Sequence, residues 1–116
     1  MLPRANRLCR STEFDTVVRR GVRAGSRSVV LHALERDDAD PVRVGFVVSA
    51  AVGNAVTRNR LKRQLRHLVV ERLPALGAAT SVVVRARADA ATQAAPELAR
   101  DLDGALQALA ERRSPR

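Results

Sequence analysis

The chain has 116 residues, a net charge of +9 and a hydrophobic fraction of 46%, which suits a single domain over residues 1–116 that can bury a core without staples. Cys9 is the only cysteine, which excludes an intramolecular disulfide and a cysteine-based zinc site and indicates a reducing cytoplasm. Aromatic residues make up only 2%, which excludes a platform of several stacked rings, and no apolar run approaches the roughly 20 residues of a membrane span.

The chain begins with a cationic segment and a short helix. Residues 1–10 contain Arg4, Arg7 and Arg10 without an apolar core segment, which predicts a basic arm rather than a signal peptide. Ser11 is the predicted N-cap of a first helix that Gly21 ends. The apolar face of this helix would carry Phe14, Val17 and Val18.

Three later segments have the composition of strands. Residues 28–34 are rich in β-branched and aliphatic side chains, and residues 42–49 alternate apolar with other positions. The acidic stretch 37–41 between them ends in proline and predicts a turn. Residues 81–87 form the third strand, apolar on one face and increasingly cationic on the other.

The polar face of this predicted sheet has two possible roles. It would carry Arg85 and Arg87, and from the neighbouring strands Arg43 and His32. Antiparallel sheets often leave one face in water, so the face is either simply polar or a groove for an extended strand of nucleic acid. The pattern alone does not separate these two.

A long helix is predicted to end near Arg72, where Pro74 and Gly77 follow, and a last helix to begin near Pro96. Leucines at helical spacing give the last helix one buried stripe, and a basic tail follows over residues 112–116. These are Leu98, Leu102, Leu106 and Leu109 in the stripe, and Arg112, Arg113 and Arg116 in the tail. The elements together predict an α+β fold with helices packed on one face of a small sheet.

The long helix has the most informative sequence in the chain. Its predicted buried stripe is Leu61, Leu65 and Leu68, and either Asn54 or Thr57 can cap its start. Five cations occur in residues 58–66, of which Arg60, Lys62, Arg63 and Arg66 lie opposite the stripe, and no Asp or Glu occurs from residue 41 to residue 70. Cations in the first turns oppose the helix dipole, so stability alone does not explain them. The expected partner of this face is RNA or DNA phosphate, in preference to plain solvent.

Catalytic patterns are absent from the sequence. It has no Ser-His-Asp set, no HExxH and no glycine-rich phosphate loop. Asp37, Asp38 and Asp40 lack the glycine and terminal glutamate of a calcium loop and fit a solvated turn. His32 and His67 are the histidines, so a stand-alone nuclease that uses both is one alternative. A general RNA-binding module, of the ribosomal or chaperone kind, is the other.

Three consecutive motifs carry a family resemblance: RVGFVVS at 43–49, VGNAV at 52–56 and RNRLKR at 58–63. This run closely resembles the protein subunit of bacterial ribonuclease P. The resemblance extends over residues 5–112 and includes the Glu13-Phe14 pair and the apolar strand at 82–86.

The resemblance implies a two-layer α-β-β-β-α-β-α sandwich, with a first strand near residues 22–26 that the pattern alone does not predict. It implies an accessory subunit of a ribonucleoprotein endoribonuclease that removes the 5′ leader of precursor tRNA. The implied partners are a catalytic RNA, which holds the active site and its Mg²⁺, and the precursor tRNA, in the cytoplasm and away from membranes. The protein itself would have no catalytic residue and no metal site.

The resemblance also assigns site residues. The family's RNA-binding motif corresponds to Arg58, Asn59, Arg60, Lys62, Arg63 and Arg66, and its leader cleft to Phe14, Val18 and His32. Phe14 is either a leader contact or plain helix core. Val18 stands where a second Phe is common, His32 where Tyr is common, and Ala50-Ala51 where a Lys pair is usual. We therefore expect leader contacts that are weaker or differently placed, since each base–aromatic stack contributes about 1–3 kcal/mol.

Overall fold

Four strands form one sheet in the order β1-β2-β4-β3, in a computed structural model that describes residues 2–113. β3 and β4 are parallel, and the other neighbours are antiparallel. Three short 3₁₀ turns accompany the main elements. The strands are β1 (Val22–Gly25), β2 (Val29–Glu35), β3 (Arg43–Val47) and β4 (Thr80–Ala86), and the helices are α1 (Ser11–Arg20), α2 (Ala55–Arg72) and α3 (Ala95–Arg113).

Alternation along β4 divides the core between two faces of the sheet. Val82 and Val84 belong to the main cluster, which α2 and α3 cover, whereas Val83 packs with Val17 of α1 and with Leu8. The α+β class and the order of elements are confirmed. Two helices pack on one face as predicted, and α1 covers part of the opposite face, because Val83 there is also apolar and needs burial.

Two local features differ from the pattern-based predictions. The first helix begins at Ser11 itself, because the carbonyl of Arg10 accepts its first hydrogen bonds, from the amides of Glu13 and Phe14. Arg10 is therefore the N-cap residue in place of the predicted Ser11, and it provides no side-chain cap. β1 is a true strand, and its residue Ala24 is fully buried against β2. Arg and Gly within a four-residue element hide its strand character.

The first ten residues follow the edge of the sheet instead of extending into solvent. Leu2 and Leu8 are buried, and the Leu8 amide donates to the Val44 carbonyl at 3.0 Å. Arg7 forms a parallel bridge with Val44, and the Asn6 side chain donates to the Val42 carbonyl at 2.8 Å. This N-terminal segment thus covers the outer edge of β3 as far as Val44.

The long helices keep most of their predicted stripes. In α3, Leu98, Leu102 and Leu109 are buried, while Leu106 is half-buried and Ala105 takes a core position. Arg112 and Arg113 belong to α3, and Arg116 lies outside the described residues. Within residues 2–113, no helix is both long and apolar enough to cross a membrane.

Candidate nucleic-acid interface

α2 is fixed in place by a cap, a buried stripe and one ion pair. The Asn54 side chain accepts a hydrogen bond from the Thr57 amide at 2.9 Å, which satisfies one of the free donors at the helix start. The core positions are Leu61, Leu65 and Val69, each no more than 3% exposed, whereas the predicted Leu68 is half-buried at the margin. The stripe therefore follows i, i+4, i+8 in place of the predicted i, i+4, i+7.

The end of α2 is tied to α3 by an exposed ion pair. Arg72 Nε donates to the Asp103 carboxylate at 2.6 Å. That hydrogen bond, and next the guanidinium charge, lower the pKa of Asp103. The pair links the end of α2 to α3, and the cations of the first three turns of α2 take no part in it.

The face of α2 opposite the stripe has a single sign of charge. Arg60, Arg63 and Arg66 are exposed, as is Asn59, and Arg58 and Lys62 are half-buried. The ion pairs found within residues 2–113 use other cations, namely Arg27, Arg36, Arg43, Arg72 and Arg113. The six residues predicted as the RNA-binding set therefore lie together on one helix, over about two and a half turns, without acidic partners in the described residues.

Two of these side chains donate hydrogen bonds to backbone carbonyls, and a third has a buried nitrogen without a partner. Arg60 donates to the Ala91 carbonyl at 2.8 Å, and Arg66 Nε donates to the Lys62 carbonyl at 3.3 Å. The buried Nε of Arg58 has no hydrogen-bond partner among the described residues. Arg60 and Arg66 are thus held in position with other guanidinium nitrogens still available, which suits bidentate contact with phosphate.

Of the three residues predicted as a leader cleft, Phe14 and Val18 lie one turn apart on α1, and His32 lies on β2 on the sheet face that α1 covers. Val18 is 36% exposed on α1, whereas His32 is 3% exposed in β2, beneath that helix. Phe14 lies over Gly45 of β3, and β4 separates β3 from β2. His32 lies in β2 and Phe14 contacts β3, and these two strands are two strand spacings, about 10 Å, apart.

His32 has an unusual environment for a buried polar group. Both ring nitrogens are buried without a hydrogen-bond partner in residues 2–113. Burial, followed by the cations Arg85 and Arg23, lowers the pKa of this imidazole below its ordinary value of 6.5. His67 is exposed on α2, and no hydrogen bond links it with His32, so the two histidines do not form a catalytic pair in this arrangement.

The predicted cationic sheet face is only partly open. Arg43 pairs with Asp40 at 2.7 Å, Arg85 is half-buried near His32, and Arg87 is exposed. Because α1 covers the middle of this face, it is neither an uninterrupted polar surface nor a continuous groove.

A cleft at the outer edge of β3 was not predicted from the sequence. It has a volume of 230 Å³ and lies between the N-terminal segment, α1, β3 and α2. Its apolar wall includes Leu8, Phe14 and Phe46, and its cationic rim consists of Arg7, Lys62 and Arg66. We call it the edge cleft. Its residues come from four separate parts of the chain, so no local pattern could have indicated it.

A basic, single-signed helix on a small α+β sandwich is the arrangement of an RNA-binding protein. Comparison with known proteins specifies the class further. The family model for ribonuclease P matches residues 2–110, and the chain belongs to the ribonuclease P protein family. This family supplies the protein component of a ribonucleoprotein endoribonuclease that processes the leader of precursor tRNA.

Individual relatives agree over nearly the full length. The ribonuclease P protein component of Streptomyces bikiniensis is 51% identical over 94% of this chain and 95% of that protein. That of Beutenbergia cavernae is 52% identical over 94% of this chain and 92% of its own. The RNase P protein of Staphylococcus aureus, solved at 2.0 Å, superposes with a TM-score of 0.80 at 25% identity, covering 88% of this chain and 93% of that one.

Proposed function

We propose that this protein binds the catalytic RNA of ribonuclease P through the exposed face of α2, and that it also binds the 5′ leader of precursor tRNA. The single observation that supports this most is α2 itself, where five cations have no acidic partner within residues 2–113 and four of them, Arg60, Lys62, Arg63 and Arg66, lie away from Leu61 and Leu65. Each residue of a regular helix advances about 1.5 Å along the axis, so these cations lie close enough together to contact neighbouring phosphates.

Within this proposal the residues have separate roles. Arg60, Arg63 and Arg66 supply exposed phosphate contacts, and Asn59 adds an amide that can donate and accept. Arg58 and Lys62 complete the set from half-buried positions. For the leader we propose Phe14 and Val18 on α1 together with His32 on β2.

Mg²⁺ belongs to the RNA in this proposal. Within residues 2–113, no three Asp, Glu, His or Cys side chains are grouped as a metal would require. The residues of this chain therefore do not fit a Mg²⁺ site of their own. Bound Mg²⁺ supplies Lewis-acid chemistry to phosphodiester hydrolysis, and we assign its ligands to RNA oxygens. We place the complex in the cytoplasm with its precursor tRNA substrate.

Reconstitution tests the proposal. Purified protein is added to precursor tRNA with and without the ribonuclease P RNA of the same organism, at low Mg²⁺. We expect leader removal only when RNA is present, and faster removal with protein than with RNA alone. Cleavage by protein alone would favour the nuclease alternative, and no effect in either mixture would favour a general RNA binder.

Two histidine variants separate the nuclease alternative further. His32→Phe and His67→Gln should each keep the single-turnover rate at saturating protein, since the chemistry is assigned to the RNA. General acid–base catalysis contributes about 10²–10⁴-fold, so a loss beyond about a hundredfold in either variant would contradict the assignment.

A further inference from the structure

His67 lies on the side of α2 that is furthest from the core. At about 100° per residue, its side chain is within about 40° of Arg60 and Arg63 and at least about 120° from Leu61 and Leu65. His67, Arg60 and Arg63 are all exposed. The imidazole therefore continues the line of exposed cations by one further turn, and it ends about 10 Å along the axis from Arg60.

The protein itself offers the His67 side chain little compensation for a positive charge. No hydrogen bond to its ring nitrogens occurs within residues 2–113, and Arg63 and Arg66 are its cationic neighbours on α2. Glu71 is one turn further along the helix, but its carboxylate is 3.6 Å from Arg72 and so already has a cationic partner. An anion that fully compensates the charged imidazole must come from outside the chain.

The acids of the elements beside α2 are also paired. Asp103 of α3 accepts from Arg72, and Asp89, in the 3₁₀ turn Ala88–Thr92 that packs on α2, pairs with Arg27. The turn that follows α2, over residues 73–75, has no charged side chain. The N-terminal segment brings another cation, Arg7, to the side of α2 that carries Lys62 and Arg66. The described neighbours of α2 thus leave this line without a free acid.

From these observations, we propose that His67 contacts a further phosphate of the ribonuclease P RNA and takes up one proton from the buffer as the complex forms. Histidine is the side chain whose charge changes between about pH 5 and pH 8, and a nearby phosphate favours its charged form. No covalent bond to the RNA forms or breaks. The inference rests on the proposed function, because Arg60 and Arg63 on the same line are assigned to that RNA.

The pH dependence of RNA affinity tests the proposal. Binding of the full protein to the ribonuclease P RNA is measured from pH 6 to pH 8 at constant salt and Mg²⁺. We expect wild type to bind about two- to fivefold more tightly at pH 6 than at pH 8, beyond any change intrinsic to the RNA, which is the scale of an exposed ion pair. His67→Gln should lose this gain, and His67→Arg should bind tightly at both pH values, because its charge is permanent.

The other histidine supplies the matched control. His32 is buried on the sheet face that α1 covers, and the chain has two histidines, so His32→Phe should keep the wild-type pH dependence. Salt titrations give a second measurement that a merely structural role would not change. The slope of log affinity against log salt should be steeper for wild type at pH 6 than at pH 8 by up to about 0.7–0.9, the value for one contact. His67→Gln should have the same slope at both.

The outcomes distinguish this inference from the proposed function. If His67→Gln keeps the wild-type pH dependence while Arg63→Ala still weakens binding, the proposed function stands and the contact at His67 is wrong. Loss of the pH dependence in His32→Phe in place of His67→Gln would also overturn it. If His67→Gln melts early, His67→Arg decides, since a pH dependence that survives in that variant contradicts the proposal. Absence of binding to the RNA would overturn both.

Discussion

The ring of Phe14 in α1 occupies the space that a side chain at Gly45 in β3 would need. A Cβ at Gly45 would overlap two atoms of the ring and crowd a third, and Gly45 is itself buried. The pair sets how closely α1 approaches the sheet, and it forms one wall of the edge cleft.

We expect Gly45→Ala to destabilise the protein by about 1–3 kcal/mol, the usual cost of overpacking. Urea unfolding measures the change. In a Phe14→Leu background the same substitution should cost clearly less, because the overlapping ring atoms are gone. Equal costs in both backgrounds would mean that Gly45 serves its strand and not the helix contact.

The two faces of α2 should separate stability from RNA affinity. Leu65 is fully buried, so Leu65→Ala should cost about 2–5 kcal/mol of unfolding free energy. Arg63 is exposed, so Arg63→Ala should stay within about 0.5 kcal/mol of wild type and bind the RNA more weakly. Thermal melts and RNA titrations on both variants check this. Unfolding of Arg63→Ala would show that the faces are wrongly assigned.

Salt dependence should report the number of phosphate contacts. If about five phosphates are neutralised, log affinity should fall against log salt with a slope of about −3.5 to −4.5, using 0.7–0.9 per contact. Arg63→Ala should flatten the slope by somewhat under one unit. Phe14→Ala should lower the affinity of the holoenzyme for precursor tRNA with almost no change in slope, because a stacked base releases no counterions. Affinity measured at several salt concentrations distinguishes the two variants.

Stability should depend on the protonation of His32. Its pKa is lowered in the folded protein, so the unfolded chain binds the proton more readily, and folding is favoured above pH 6.5. As pH falls from about 6.5 toward the lowered folded-state pKa, that stability is progressively lost. His32→Phe should therefore reduce the drop in melting temperature between pH 7 and pH 5. Leu65→Ala serves as a control that should melt earlier at both pH values yet keep the wild-type drop.

The sequence predicts α2 well because its determinants are local. The cap at Asn54, the spacing of Leu61 and Leu65 and the clustered cations all lie within one segment, and each is found where expected. The predicted Leu68 gives way to Val69, because the two positions lie on opposite flanks of the Leu61/Leu65 direction and the packing of α2 against other elements decides which flank is buried. β1 depends on pairing with β2, a tertiary contact that a four-residue pattern cannot contain.

The edge cleft and the predicted leader cleft depend on how separate elements pack against one another, which no local sequence pattern contains. Leu8, Phe46 and Lys62 are far apart in sequence and meet only because the N-terminal segment follows β3. The grouping of Phe14 with His32 came from the family resemblance, and their positions over different strands could be learned only from the packing of α1. The assignment of Phe14, Val18 and His32 to a leader cleft stays a prediction.

The N-terminal segment also bears on how the free protein avoids self-association. An uncovered edge strand is a template for pairing with another copy, and β3 would be such an edge without the bond from Leu8 to Val44. On the far side of the sheet, Arg112 of α3 donates to the Arg23 carbonyl and blocks the edge of β1. The two edge strands are thus covered by residues from opposite ends of the described range, Leu8 at β3 and Arg112 at β1. Removal of the first eight residues would expose the β3 edge and make the protein prone to form intermolecular sheets before it binds RNA.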